Sequence, residues 1–138
     1  MKIRLSLLFF LTAFICACGN NAGAPQEESL NEAQLRAQQY FGAYEGLMPC
    51  ADCAGIDTEL TLNSDNTFTL IEHYQDETGE LFLTEGIWEL NGGLTYAKLQ
   101  NSQDGQTLFY RLTDAGLEKL DYNAKPIKSN LNYTLKRK

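Results

Sequence analysis

From Gly42 to the end of the chain, apolar and polar positions alternate in short runs, broken about every eight to twelve residues by turn formers. Such alternation sends successive side chains to opposite faces, so each run predicts a strand with one face on a core. The clearest run is Ile56 to Leu62, with Ile56, Thr58, Leu60 and Leu62 on one face. Asn63-Ser64-Asp65-Asn66 turns the chain and Thr67–Tyr74 returns, which predicts a hairpin. Ala43–Leu47 precedes it. After the acidic loop Gln75–Glu80 come Leu81–Leu90, Leu94–Leu99, Thr107–Thr113, Leu117–Leu120 and Asn132–Lys136. Connections this short leave no room for helical crossovers, so the strands pair antiparallel. The predicted class is all-β: about eight strands in a small meander β-barrel, closed so that no edge is exposed. A sandwich is the second choice. In the fourth run Phe82, Gly86, Trp88 and Leu90 share a face, with Trp88 as a core residue and Gly86 relieving a crowded bend. Phe68, Leu70, Tyr96 and Tyr110 are further candidates to fill the interior.

The pattern before Gly42 is different. Lys2 and Arg4 precede an apolar run from Leu5 to Ile15, a charged segment and short hydrophobic core of signal-peptide type, too short to span a bilayer. Ile15-Cys16-Ala17-Cys18-Gly19 resembles the lipobox of bacterial lipoproteins, which implies acylation of Cys18 and a lipid anchor. Glycine rather than aspartate after Cys18 points, within that resemblance, to the outer membrane. Gly19–Glu28 is small, polar and proline-containing, which predicts a flexible tether. Ser29-Leu30-Asn31-Glu32 fits a capping box, and good helix formers follow, predicting a short N-terminal helix over Leu30–Gln39. Leu30, Leu35, Tyr40 and Phe41 are its candidate docking residues. The chain thus divides into a lipoprotein signal peptide (1–17), a lipidated tether with the helix (18–39) and a barrel domain (40–138).

Charge narrows the partners. The full chain carries −7, and loss of Lys2 and Arg4 with the signal peptide takes it to −9. No basic stripe remains to neutralise phosphates, so nucleic acid is excluded as a partner. The chain has one histidine, and neither a nucleophile elbow nor a glycine-rich phosphate cradle, so the chemistry expected is non-enzymatic.

Of four cysteines, Cys16 leaves with the signal peptide and Cys18 is consumed by lipid, leaving Cys50 and Cys53 outside the cytosol, where disulfides persist. They sit in Met48-Pro49-Cys50-Ala51-Asp52-Cys53-Ala54-Gly55, between two strands. One possibility is a structural disulfide. Another is a soft-metal site, because paired thiolates prefer Cu(I) or Zn(II), with Met48 and His73 as possible extra ligands. A redox catalyst would open a helix, and this pair does not.

Tyr44-Glu45-Gly46-Leu47-Met48-Pro49-Cys50-Ala51-Asp52-Cys53-Ala54-Gly55-Ile56 resembles the NlpE family of copper resistance and envelope-stress lipoproteins, as do Gly86-Ile87-Trp88 and the ending Leu131-Asn132-Tyr133-Thr134-Leu135. The likeness runs from about Tyr40 to Lys138. It implies an N-terminal-type barrel lipocalin-like in shape, attached to the outer membrane and facing the periplasm or the cell surface. It also implies copper tolerance, stress sensing and a sensor kinase of the Cpx type as partner, with Cys50 and Cys53 as the metal- or redox-responsive element. Longer family members carry a second domain, of OB type, and the likeness here is to the N-terminal one. The alternative function is a lipocalin-like carrier of a small apolar ligand.

Overall fold

The computed structural model describes residues 24–138, with side chains from Leu30 onward. The expected signal peptide, the lipidation site Cys18 and the first part of the tether lie outside the described residues. Helix α1 (Ala24–Gln38) leads into eight strands: β1 (Gly42–Met48), β2 (Ile56–Leu62), β3 (Thr67–Tyr74), β4 (Leu81–Leu90), β5 (Ala97–Asn101), β6 (Thr107–Thr113), β7 (Gly116–Lys119) and β8 (Thr134–Arg137). Each strand pairs antiparallel with the next, and β8 returns to β1 through Tyr44↔Arg137 and Glu45↔Lys136, closing the barrel. Closure leaves no strand edge unpaired, and the expected meander stands rather than the sandwich.

The hairpin β2–β3 shows how alternation sets the register. Leu62 lies opposite Phe68, Leu60 opposite Leu70 and Thr58 opposite Glu72, so the inward rows of both strands coincide. Asn66 takes a left-handed backbone (φ 66°) at the turn, which asparagine tolerates, while Asp65 Oδ1 accepts from the Thr67 amide at 3.0 Å. The strand predicted from Leu94 starts only at Ala97. Leu94 is left-handed (φ 54°), and Asn91 Oδ1 accepts the amides of Thr95 (2.7 Å) and Tyr96 (2.9 Å), holding this segment as a loop. Tyr96, one place before inward-facing Ala97, packs edge-on against Phe109 (ring centroids 5.6 Å apart) and is not in the interior. The last strand likewise starts later than predicted, because Asn132 Oδ1 accepts the Thr134 amide at 3.1 Å and ends the preceding loop.

The helix starts six residues before the predicted Leu30, and the capping-box residues lie inside it. Pro25 marks a first turn here rather than a tether, since proline in the first helical turn removes no intrahelical hydrogen bond. Leu30 and Leu35 are 64% and 54% exposed, so neither docks the helix. Ala37, Tyr40 and Phe41 pack on the core instead. Tyr40 is fully buried, and its hydroxyl donates to Thr95 O (3.3 Å) and accepts from the Leu112 amide (3.3 Å). The Arg137 guanidinium spans this end: it donates to Phe41 O, to Gln39 O at 2.6 Å and to the Tyr44 hydroxyl at 2.5 Å, and lies over the Tyr44 ring. Tyr40, Phe41 and Trp88 thereby plug the barrel at the helix end, and the short turn 63–66 lies there too.

Burial pushes the Tyr44 phenol above its ordinary value of 10.0, against the pull of Arg137. Burial, with Glu72 adding to it, pushes Tyr110 well above the same value. A phenol that holds its proton more tightly when folded contributes stability that is present below the unfolded pKa and lost as pH rises through the folded one. The melting temperature is therefore expected to hold from neutral pH to about 10 and to fall above it. Circular dichroism melts across that range check this, and Tyr110→Phe removes part of the alkaline fall.

Candidate functional site at the disulfide loop

The end of the barrel opposite the helix carries the segment between β1 and β2. Cys50 and Cys53 are joined by a disulfide, with Cα atoms 5.3 Å apart. The loop is tied to the far end of β3: the Ala54 amide donates to Gln75 O (3.2 Å) and the Gln75 amide to Gly55 O (2.9 Å). Gly55 is buried, and a Cβ there would stand 2.5 Å from Leu47 Cδ1, so a larger residue would push the exposed Leu47 side chain aside. Both cysteines are half-buried, whereas Ala51 and Asp52 are exposed. Tyr74 and Phe82, packed edge-on with centroids 5.3 Å apart, border the loop on the barrel side.

The residues expected to share a metal are not brought together. Met48 is 3% exposed and belongs to the core cluster. His73 lies opposite Asp57 in the register, on the outer wall, with Nδ1 3.9 Å from Asp57 Oδ2. The two sulfurs are bonded to each other, so neither is a thiolate. Among the described residues no group of three or more histidine, cysteine or acidic side chains could hold a metal. This arrangement does not fit a copper ion.

The outer wall of β1–β4 also carries features the sequence reading passed over. Leu47, Leu81 and Leu83 are exposed there beside Glu45, Asp57 and Glu59. Lys138 Nζ reaches Glu59 (2.9 Å) and Glu45 (3.0 Å) across the β8 seam. The barrel also holds a chamber of about 260 Å3, with Phe68, Leu70 and Leu108 on its apolar side and Glu72, Tyr74, Thr84, Asn101, Gln106 and Lys119 completing the wall. A signal for it existed. The alternation that puts Leu60 and Leu70 inside continues to Glu72, and that of Tyr110 and its partner Lys119 does the same on β6–β7.

The profile of the NlpE N-terminal domain matches residues 44–130, from inward-facing Tyr44 through the disulfide loop and seven strands. The chain belongs to the NlpE family. It is 33% identical over 124 residues to Lipoprotein NlpE of Escherichia coli strain K12, a match that takes in 88% of this chain and 50% of that protein. This chain therefore spans about half the length of that curated relative. Among solved structures, a putative lipoprotein from Shewanella oneidensis is 34% identical, with a TM-score of 0.63 over 72% of this chain and 89% of its own. The Cpx pathway activator NlpE from Escherichia coli is 35% identical, with a TM-score of 0.55 over 70% of this chain and 50% of that one. The barrel of this chain is thus an NlpE N-terminal-type domain, as the motif around Cys50 and Cys53 implied.

Proposed function

We propose that this protein is a non-enzymatic outer-membrane lipoprotein, anchored through acylated Cys18, whose barrel reports envelope stress to an inner-membrane sensor kinase of the Cpx type. The observation that carries this reading is the similarity to the E. coli Cpx pathway activator, which extends over most of the barrel. The −9 charge of the processed chain and the closed barrel suit a surface that meets another protein rather than a polyanion or a bilayer. In this reading the Cys50–Cys53 bond is a staple that holds the β1–β2 loop against Gln75 and so keeps the barrel's open end in one shape. A copper-responsive role would concern the reduced loop alone, after a thiol reductant has taken the disulfide to two thiols.

The test uses the full chain, produced in a Gram-negative cell that lacks its own copy and carries a Cpx-dependent reporter. Overproduction is expected to raise the reporter several-fold, only when the sensor kinase is present. Palmitate label is expected on the wild type and lost in Cys18→Ala, and the labelled protein is expected in the outer-membrane fraction. A flat reporter with normal protein levels overturns the signalling role; absent palmitate label overturns the anchor. Cu(I) titration of reduced wild type beside Cys50→Ser/Cys53→Ser decides the copper branch: binding that is absent, or equal in both, removes it.

A further inference from the structure

Two features mark the chamber inside the barrel as a site for a small polar molecule. The first is charge. Glu72 on β3 and Lys119 on β7 are both inward-facing and half-buried, yet among the described residues neither makes an ion pair, with the other or with any third group. Each is thus partly desolvated without a compensating partner, an arrangement that costs stability unless something else satisfies it. The fully buried Tyr110 hydroxyl, opposite Lys119 across the β6–β7 ladder, is sealed from the chamber and is not part of its wall.

The second is shape. The chamber, about 260 Å3, falls just under the range of about 300–1,000 Å3 typical of pockets for drug-sized molecules. Its wall adds the neutral hydrogen-bonding groups of Thr84, Asn101 and Gln106. Phe68, Leu70 and Leu108 make part of the wall apolar, but a purely apolar guest would cover both unpaired charges without satisfying either. A guest of one sign would satisfy one of the two charges and strand the other. A guest bearing both satisfies both.

We propose that the chamber binds a small zwitterion of the amino-acid class, with its ammonium toward Glu72 and its carboxylate toward Lys119. Tyr74 borders both the chamber and the disulfide loop, so the loop stands at the entrance.

The experiment is isothermal titration of the detergent-extracted full chain with the ω-amino acid series glycine, β-alanine, γ-aminobutyrate and 5-aminovalerate, which steps the separation between ammonium and carboxylate. Butyrate and butylamine carry one charge each and serve as controls. At least one zwitterion is expected to bind saturably in the millimolar range or below. The single-charge controls are expected to bind about tenfold or more weakly, as are the zwitterions to Glu72→Gln and to Lys119→Met, the factor expected from loss of one charge-assisted hydrogen bond. Amide chemical shifts of the wild type give a readout that needs no variant: perturbations are expected at Thr84, Asn101 and Lys119. Absence of saturable binding by every member overturns the proposal. So does binding unchanged in both folded variants, equal binding of the single-charge controls, or perturbation confined to the outer wall.

Discussion

Trp88→Ala is expected to lower the free energy of unfolding by about 4 kcal/mol, the usual loss when a large aromatic leaves a core that cannot collapse around the gap. Trp88 is 2% exposed, its Nε1 donates to Asn63 O at 3.0 Å, and its ring meets Tyr40 and Phe41 at centroid distances of 6.2 and 5.8 Å. One substitution therefore opens the barrel interior, leaves Asn63 O at the β2–β3 turn with only the Asn66 amide as donor (3.2 Å), and removes the ring on which the post-helix segment rests. Urea denaturation followed by far-ultraviolet circular dichroism measures it, since loss of the single tryptophan removes the fluorescence signal. Trp88→Phe keeps most of the filling and loses only the hydrogen bond and part of the volume, so about 1–2 kcal/mol is expected. Equal losses in the two variants would mean that the indole hydrogen bond, not the filling, carries the effect. Amide exchange at Tyr40 and Phe41 should speed up in Trp88→Ala before exchange in β2 and β3 does, because the plug loosens first.

Gly86→Ala comes next, with an expected loss of about 3 kcal/mol from overpacking. A Cβ at Gly86 would fall 1.9 Å from Gln100 O and 2.8 Å from Phe68 Cε1. The first of these is backbone, so the clash cannot be relieved by a side-chain rotation. β5 would have to move away from β4, where Gly86 faces Asn101 and Trp88 faces Leu99. The control is Gly92→Ala, in a loop where an added Cβ meets nothing within 4 Å and where the backbone is not left-handed. Its stability is expected to stay within about 0.5 kcal/mol of the wild type. Comparable midpoints in urea for the two variants would show that the close approach of β4 and β5 is dispensable.

The fates of particular segments show where sequence reasoning held. The hairpin β2–β3 and strand β6 lie where their alternation placed them, because their hydrogen-bonding and their inward faces were both local matters. Strands β5 and β8 began later than predicted. The polar residues at their starts, Asn91 and Asn132, spend their side-chain oxygens on nearby amides and so hold those segments as loops. The helix was foreseen, and of its four candidate docking residues Tyr40 and Phe41 pack on the core while Leu30 and Leu35 do not. Isolated leucines at Leu30 and Leu35 look like anchors, yet the barrel end they would meet is already occupied by Tyr40, Phe41 and Trp88. The site showed the same division. Cys50 and Cys53 are three positions apart, so their bond could be foreseen as one of several outcomes. The alternation that carries Leu70 and Glu72 inward already points His73 outward, and the register adds its neighbour Asp57, while Met48 goes into the core.

The order and number of the strands, their antiparallel pairing and the family motif were set by residue order alone, because period-two patterning and turn chemistry act over a few neighbouring residues. The seam between β1 and β8, the plug beneath the helix and the chamber shared by Glu72 and Lys119 were decided only when the sheet closed. Those contacts join residues far apart in the chain, and barrel closure, not local propensity, determines which of them face one another.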